Sequence, residues 1–253
     1  MGNETPRTIT TLSLPHILPS NHIKSVFCEL TETKRELRFD YSQRNDKSIL
    51  EDLVKKLLLL CGVVPRGMVV FFPSFSFLQD FVRFLHVNQF YSQLNELKCI
   101  FVDQREQNVF SAYSTCVKEH GGAILFAVVG GRLSEGINFS DDLGRCVMVV
   151  GMPYPNKTDV VLQEKMKYLE EQESGLGAKY YKNLCIKAVN QAIGRAFRHQ
   201  KDWASVVFMD CRYTSQGIRS GLTRWIEQNG CICNSNELLR KVMTSFYQEM
   251  SAL

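Results

Sequence analysis

Hydrophobic residues along the chain follow two periods in turn, which predicts alternating strands and helices. Short apolar runs bounded by turn residues are typical of buried parallel strands, and apolar residues spaced three and four apart are typical of amphipathic helices. These patterns predict strands over residues 25–29, 38–41, 67–72, 99–102, 123–129, 145–151 and 204–210. They predict helices over residues 48–61, 75–86, 106–118, 158–172, 178–198 and 237–250, with a short helix near Thr223. The alternation indicates an α/β fold with a mostly parallel, doubly wound sheet and helices on both faces.

Turn and capping residues set several boundaries between these elements. Gly62 is expected to end the first long helix, and Ser74 is expected to cap the start of the helix over residues 75–86. Residues 171–179 are rich in glycine and are expected to form a surface loop between two helices. No repeat or linker divides the chain, so we expect one domain over residues 21–253 and a loosely anchored extension over residues 1–20.

The composition is that of a globular domain without a metal site. A chain of 253 residues, 45% of them hydrophobic, can bury a full core. The net charge of +4 permits contact with nucleic acid but does not predict it, because such binding depends on local clusters of charge. The nine cysteines include no C-x-x-C pair, which favours reduced intracellular thiols over disulfides or zinc. Cys231 and Cys233 are separated by one residue, which is too close to suggest that they coordinate a metal ion. No apolar stretch reaches the roughly 18 residues that are needed to cross a bilayer.

Residues 190–198, N-Q-A-I-G-R-A-F-R, carry the most specific chemistry in the chain. On a continuous helix, Gln191, Gly194, Arg195 and Arg198 would share one face and the apolar residues would lie opposite. A guanidinium group donates paired hydrogen bonds to phosphoryl oxygens, and a neighbouring glycine lets a ligand approach closely. The alternative is a solvated basic face on an amphipathic helix, which is the more common meaning of such a pattern in a helix considered alone.

A second segment strengthens the functional interpretation. Residues 128–141, V-V-G-G-R-L-S-E-G-I-N-F-S-D, leave a predicted buried strand through paired glycines. In α/β sheets, loops of this kind at the carboxyl edge bind ligands. By itself the segment could be an ordinary glycine-rich connection, but the two segments together are much more specific.

The two segments resemble the fifth and sixth motifs of the XPD-like superfamily 2 DNA helicases of the DEAH type. The fifth motif, S-E-G-[ILV]-[DN]-F, matches residues 134–139, and the sixth, Q-x-x-G-R-x-x-R, matches residues 191–198. F-F-P-S at residues 71–74 resembles the fourth motif. The flanking sequences, such as G-M-P-Y-P-N and R-H-Q-K-D-W, are most similar to the chromosome-loss (Chl) subfamily, with the FANCJ-like subfamily as the close alternative. The resemblance extends over residues 17–247.

This resemblance implies the second RecA-like lobe of a two-lobed helicase. The sequence contains no G-x-x-x-x-G-K-[ST] phosphate loop and no D-E-A-H, which in the family belong to a first lobe. ATP and Mg²⁺ would therefore be held mainly by that lobe, and an iron-sulfur cluster is expected only there. The chain would be one lobe of a longer enzyme, or a truncated gene product, that does not hydrolyse ATP alone. The implied partners are single-stranded or forked DNA and the first lobe, with 5′ to 3′ unwinding, a nuclear location and roles in DNA repair and chromosome cohesion.

The resemblance also assigns roles to residues that match the family motifs. Arg198 would be the arginine finger, with Arg195 as its partner and Gln191 orienting water or the γ-phosphate. The residues implied for ATP binding are Glu135, Gly136, Asn138 and Gly194. The residues implied for DNA binding are Ser74, Gly130, Gly131, Arg132 and Ser134. Asn138 is a neutral amide where many relatives have aspartate, so a role that requires negative charge there is in doubt.

Several of these residues have structural alternatives. Asn138 or Ser134 could cap a local turn rather than bind nucleotide. The aromatic residues around the fourth motif could stack on bases, although aromatics near a strand end more commonly belong to the core; they are Phe71, Phe72, Phe75 and Phe77. For the whole chain, the alternative function is a non-catalytic fragment that binds DNA or a protein partner. A self-sufficient nucleotide-binding enzyme is disfavoured by the missing phosphate loop.

Overall fold

The computed structural model describes residues 18–104, 109–133 and 137–252, and the structural statements below concern these ranges. They contain a seven-stranded sheet whose order is β3-β4-β2-β5-β6-β1-β7. Every pairing in it is parallel. The strands are β1 (Ile23–Cys28), β2 (Arg66–Phe72), β3 (Cys99–Val102), β4 (Gly122–Val128), β5 (Cys146–Val150), β6 (Ala204–Met209) and β7 (Gly230–Ile232). Four of them (β2, β4, β5 and β6) are almost entirely apolar because helices cover both of their faces.

The helices follow the strands along the chain. They are α1 (Lys47–Val63), α2 (Phe75–Val87), α3 (Phe90–Leu97), α4 (Val109–Glu119), α5 (Val160–Gln172), α6 (Leu176–Ile193), α7 (Gln216–Arg219), α8 (Arg224–Gln228) and α9 (Asn236–Ser251). Alternate side chains of each strand point to opposite faces of the sheet, so two hydrophobic clusters form. Met68 and Val70 of β2 contribute to the cluster that includes α1, α2, α3 and α9. Val69 and Phe71 contribute to the cluster that includes α4 and α6. The predicted doubly wound α/β fold is confirmed.

Most predicted elements are confirmed, and the exceptions have physical causes. Residues 38–41 do not form a strand; Phe39 instead donates its backbone N–H to Asp210 at 3.0 Å. Gly62 does not end α1, which continues to Val63. The helix stops there because Val64 precedes Pro65, and the residue before a proline is disfavoured in the helical region.

The loop predicted over residues 171–179 is shorter than expected, since α6 already begins at Leu176. Three elements were not predicted at all: α3, α7 and β7. Strand β7 has only three residues and pairs with β1 in register from Ser25 to Phe27. A segment this short carries too little alternation to be recognised without its partner strand.

Candidate phosphate and nucleic-acid site

The carboxyl ends of the parallel strands bring the predicted phosphate contacts together. Ser74 follows β2 and caps α2, its Oγ accepting a hydrogen bond from the backbone N–H of Phe77 at 3.2 Å. Gly130 follows β4, the neighbour of β2 in the sheet. Both residues line one large cavity of about 1280 Å³. The capping prediction for Ser74 is confirmed, and its hydroxyl hydrogen is still available to a ligand.

The glycine-rich turn after β4 is shaped by its backbone. Gly130 has φ of 74°, in the left-handed region that favours glycine. Gly131 donates its backbone N–H to the carbonyl of Val128 at 3.0 Å, which closes the turn tightly. Arg132 is exposed, and its charge acts on the nearby Asp103 carboxyl, although burial still raises the pKa of Asp103. The predicted DNA contacts Gly130, Gly131 and Arg132 therefore lie at the same sheet edge as Ser74.

The arginine-containing segment is not the continuous helix that its periodicity predicted. Helix α6 ends at Ile193, the chain tightens into a 3₁₀ turn over Gly194–Ala196, and Phe197 is extended. Phe197 is buried against Trp225, with ring centroids 4.9 Å apart. Insertion of this aromatic side chain redirects the backbone before Arg198. The prediction that Gln191, Gly194, Arg195 and Arg198 share one face of a continuous helix is therefore wrong.

The four predicted site residues of this segment nevertheless lie outside the core. Gln191, Gly194 and Arg198 are exposed, and Arg195 is half-buried. Gln191 lies beside a smaller cavity of about 420 Å³, and no contact joins it to Arg198 among the hydrogen bonds of the described residues. A side chain at Gly194 would meet open space, which is consistent with close approach of a ligand there. Both arginines lie outside the sealed core.

The structure brings the two motif segments, residues 128–141 and 190–198, into direct contact. The Arg198 guanidinium donates a hydrogen bond to the side-chain oxygen of Asn138. The backbone N–H of Phe139 donates to the carbonyl of Arg195 at 3.0 Å. Phe139 is buried and packs edge-on against Phe71, with ring centroids 6.1 Å apart. Because Asn138 is neutral, it orients Arg198 without neutralising the positive charge.

A network of ion pairs and hydrogen bonds lies next to the contact between Asn138 and Arg198. Arg145, only 8% exposed, donates to the buried Asp202 carboxylate at 3.1 Å. The backbone N–H of Asp141 also donates to Asp202, at 3.3 Å, and the ring of His199 hydrogen-bonds Asp141 at 2.9 Å. The network therefore connects residues that follow Phe139 with residues that follow Arg198.

The energetics of the network centre on the Asp202 carboxyl. Burial raises its pKa, while the backbone N–H of Trp203 and the charge of Arg145 act in the opposite direction. The Arg145 guanidinium also lies over the Trp203 ring, 3.9 Å from its centroid. Sequence reasoning did not assign a role to Arg145 or Asp202. The sequence did contain a signal for them, because each lies just before a buried strand. A charged side chain in such a position requires a partner of opposite charge.

Comparison with known proteins shows the family of the chain. Residues 57–229 match the family model described as the helicase C-terminal domain.

The chain belongs to the helicase C-terminal domain family.

Sequence relatives of this helicase C-terminal domain include ATP-dependent DNA helicases. It is 40% identical over 233 residues to ATP-dependent DNA helicase chl1 of Schizosaccharomyces pombe, which covers 87% of this chain and 28% of that protein. It is also 40% identical over 242 residues to ATP-dependent DNA helicase DDX11 of Mus musculus, covering 89% of this chain and 27% of the mouse protein. The chain thus spans less than a third of the length of these relatives.

Solved structures show the same fold for the helicase C-terminal domain. A structure titled XPD_Helicase superposes with a TM-score of 0.60 at 21% identity, covering 84% of this chain and 36% of that one. The structure of S. tokodaii Xpd4 superposes with a TM-score of 0.58 at 17% identity, covering 83% of this chain and 38% of that one. The predicted resemblance to XPD-like helicases, with Chl helicases among the relatives, is confirmed.

Other site predictions for the helicase C-terminal domain have mixed outcomes. Ser134, Glu135 and Gly136 lie outside the described residues. Phe71, Phe72 and Phe77 are fully buried, so the core alternative for these aromatics is confirmed; Phe75 is half-buried beside Ser74.

Asp141, His199 and Asp202 offer ligand atoms within 4.8 Å of one another, a spacing that could hold a metal ion. Arg145 already neutralises Asp202, so the cluster is accounted for as an ion-pair network. All nine cysteines are free. Within the described ranges, no helix has the length and hydropathy needed to cross a membrane.

Proposed function

We propose that this helicase C-terminal domain is the second motor lobe of an ATP-dependent DNA helicase, with Arg198 as the arginine finger. The observation that carries the proposal is the direct contact between the two motif segments, in which a neutral amide, Asn138, orients an exposed guanidinium. An arginine held in this way is suited to a phosphoryl group, since its charge is not cancelled by a carboxylate among the described residues. Its function is to stabilise the charge that develops on a γ-phosphate gripped by a first lobe.

Neighbouring residues complete the proposed nucleotide face. Arg195 is the partner cation, and its backbone is held by Phe139. Gln191, on the last turn of α6, orients water or the γ-phosphate. Gly194 leaves room for the nucleotide, since nothing lies within 4 Å of the position of a side chain there. We also assign Glu135 and Gly136 to this face. Mg²⁺ and the β-phosphate belong mainly to the first lobe, and an iron-sulfur cluster, where one is present, belongs there as well.

Nucleic acid is proposed to bind at the carboxyl edge of the sheet. Ser74 and the first backbone N–H groups of α2 form a phosphate site, because the amino end of a helix attracts anions. Gly130, Gly131, Arg132 and Ser134 form the second site. The substrate is single-stranded or forked DNA. The family resemblance further suggests 5′ to 3′ movement, a nuclear location and work in DNA repair and chromosome cohesion.

The isolated chain is expected to bind single strands weakly and to hydrolyse no ATP. It contains no phosphate loop, so the lysine and hydroxyl that hold the β- and γ-phosphates with magnesium are missing. Binding should weaken with salt at a slope of about −2 in log K against log [salt], from roughly three phosphate contacts at about −0.7 each. Fluorescence anisotropy of a labelled oligothymidine and a phosphate-release assay measure the two properties. Rapid unaided hydrolysis would contradict the proposal.

A pair of substitutions at Ser74 separates its capping role from its proposed phosphate contact. Ser74→Ala should lower the free energy of unfolding by about 1 kcal/mol, because Phe77 loses its capping partner. Ser74→Asp should keep the cap, since aspartate caps helices as well as serine does. Both variants should bind oligothymidine more weakly, and Ser74→Asp more so because its charge repels phosphate. Single-strand affinity equal to wild type in Ser74→Asp would exclude the phosphate contact.

A further inference from the structure

One wall of the large cavity at the carboxyl edge of the sheet is lined by residues that belong to none of the motifs. This wall carries Tyr41 and Arg44, from the turn that precedes α1. Tyr41 is 87% exposed, which is an unusual position for an aromatic side chain of this size. The Arg44 guanidinium lies over the Tyr41 ring, 4.8 Å from its centroid. We call this pair the Tyr41–Arg44 shelf.

The backbone beneath the shelf is held rigidly. Asp40 accepts hydrogen bonds from the Ser42 side chain at 2.7 Å and from the backbone N–H of Gln43 at 3.2 Å. Its other oxygen accepts from Arg38 at 2.6 Å. The backbone N–H of Arg44 donates to the Asp40 carbonyl at 2.9 Å. A fixed turn that presents an exposed ring is pre-organised for a flat ligand, because the backbone has little conformational freedom to lose on binding.

Within the described residues, Arg44 makes contacts with aromatic rings but no ion pair; besides Tyr41, its guanidinium lies over the buried Phe77 ring, 5.8 Å from the centroid. In the described parts of the chain, no carboxylate lies within salt-bridge distance of the guanidinium, and its buried Nε has no hydrogen-bond partner. By contrast, Arg212 in the same cavity is paired with Asp210 at 2.7 Å. An unpaired guanidinium with a buried unsatisfied N–H is suited to an anionic ligand.

The rest of the cavity defines the class of that ligand. Ser74 and Gly130 belong to it, as do the cationic side chains Lys157 and Lys182. Asp40, its acidic lining residue, is neutralised by Arg38. With a volume of about 1280 Å³, the cavity exceeds the ~300–1000 Å³ that is usual for small-molecule sites. Positive charge, an exposed aromatic ring and a space of this size together indicate an unpaired nucleic-acid strand.

We infer that the Tyr41–Arg44 shelf binds one nucleotide of a single strand, with the base stacked on Tyr41 and the adjoining phosphate held by Arg44. This inference rests on the proposed function, since Ser74 and Gly130 supply the neighbouring phosphate contacts. It adds selectivity for unpaired bases, because a ring can stack on a base only when that base has left the duplex.

The test compares two ligands on the full 253-residue chain. The first is a labelled oligothymidine, and the second is an abasic oligomer with the same number of phosphates. Tyr41→Ala should weaken oligothymidine binding roughly 5- to 150-fold, the range that corresponds to about 1–3 kcal/mol of stacking. It should leave abasic binding unchanged. Tyr41→Phe, which keeps the ring, should bind like wild type, as should Tyr168→Ala, which removes a 62% exposed tyrosine of α5 outside the cavity.

Arg44 provides an independent measurement. Arg44→Ala should weaken both ligands and reduce the salt slope by about 0.7, the value of one phosphate contact on a single strand. The slope in Tyr41→Ala should equal that of wild type, because stacking releases no counterions.

Several outcomes would overturn the inference. Equal oligothymidine affinity in Tyr41→Ala and wild type would exclude stacking. An equal loss for both ligands in Tyr41→Ala would mean that the ring only supports the turn. Competition by polyglutamate as strong as that by oligothymidine would assign the shelf to acidic proteins. Absence of single-strand binding by the wild-type chain would instead refute the proposed nucleic-acid site, and so the two failures are distinguishable.

Discussion

Replacement of Arg198 by alanine is expected to lower DNA-stimulated ATP hydrolysis by about 10³-fold or more, when this chain is joined to a first lobe that carries a phosphate loop. The guanidinium is exposed and is oriented by Asn138, so it can reach a nucleotide on a facing lobe. Removing it takes away a charge that acts mainly in the transition state. ATP binding should change little, because in the proposed arrangement the first lobe holds most of the nucleotide. Steady-state turnover and equilibrium binding of a fluorescent ATP analogue measure the two effects.

Two control variants sharpen this experiment. Arg198→Lys keeps the charge but loses the planar fork, and it should recover only part of the activity. Arg240→Ala removes an exposed arginine from α9 and should hydrolyse ATP at the wild-type rate. The free energy of unfolding should change by no more than about 0.5 kcal/mol in Arg198→Ala, as is usual for an exposed residue. Turnover at the wild-type rate in Arg198→Ala would exclude the finger assignment.

Replacement of Arg145 by alanine is expected to lower the free energy of unfolding by about 3–5 kcal/mol, because it leaves a buried carboxylate without its partner. Asp202 has no exposed surface in its side chain. The same change removes the guanidinium that lies over Trp203. A loss of this size is a large part of the roughly 5–15 kcal/mol that stabilises a typical domain. Chemical denaturation monitored by circular dichroism measures it.

A neighbouring arginine provides the matched control. Arg66 pairs with Asp142 at 3.5 Å, and both side chains are about half exposed (46% and 49%). Because solvent screens such a pair, Arg66→Ala should cost no more than about 1 kcal/mol. Similar losses in Arg66→Ala and Arg145→Ala would show that the buried network does not stabilise the fold.

The cost of Arg145→Ala should also depend on pH. Burial holds the pKa of Asp202 above its ordinary value, and loss of the Arg145 charge raises this pKa further. A carboxyl with a raised folded-state pKa destabilises the fold increasingly as the pH rises through that pKa. The difference in unfolding free energy between wild type and Arg145→Ala should therefore be small in acid and grow towards neutral pH. A difference that does not vary with pH would assign the loss to packing around Trp203 instead.

Much of the fold could be predicted from local sequence because its signals are local. Apolar runs such as β2 and β4 are recognisable without their neighbours, and Ser74 stands one residue before the helix that it caps. The motif residues could be singled out as candidates because guanidinium groups suit phosphate and glycine allows close approach, while their individual roles are proposed from the family resemblance. In parallel sheets the carboxyl ends of neighbouring strands meet, so the shared edge of Ser74 and Gly130 was predictable as well.

The sequence by itself determined the class of fold, the sheet edge that carries the candidate site and the residue types that could bind phosphate. Only the tertiary structure decided where α6 ends, because Phe197 leaves the helical path to pack against Trp225. It also decided that Asn138 orients Arg198, and that Arg145 neutralises Asp202. Each of these contacts joins residues that are far apart in the chain, and a periodic pattern within a short window contains no information about such pairs.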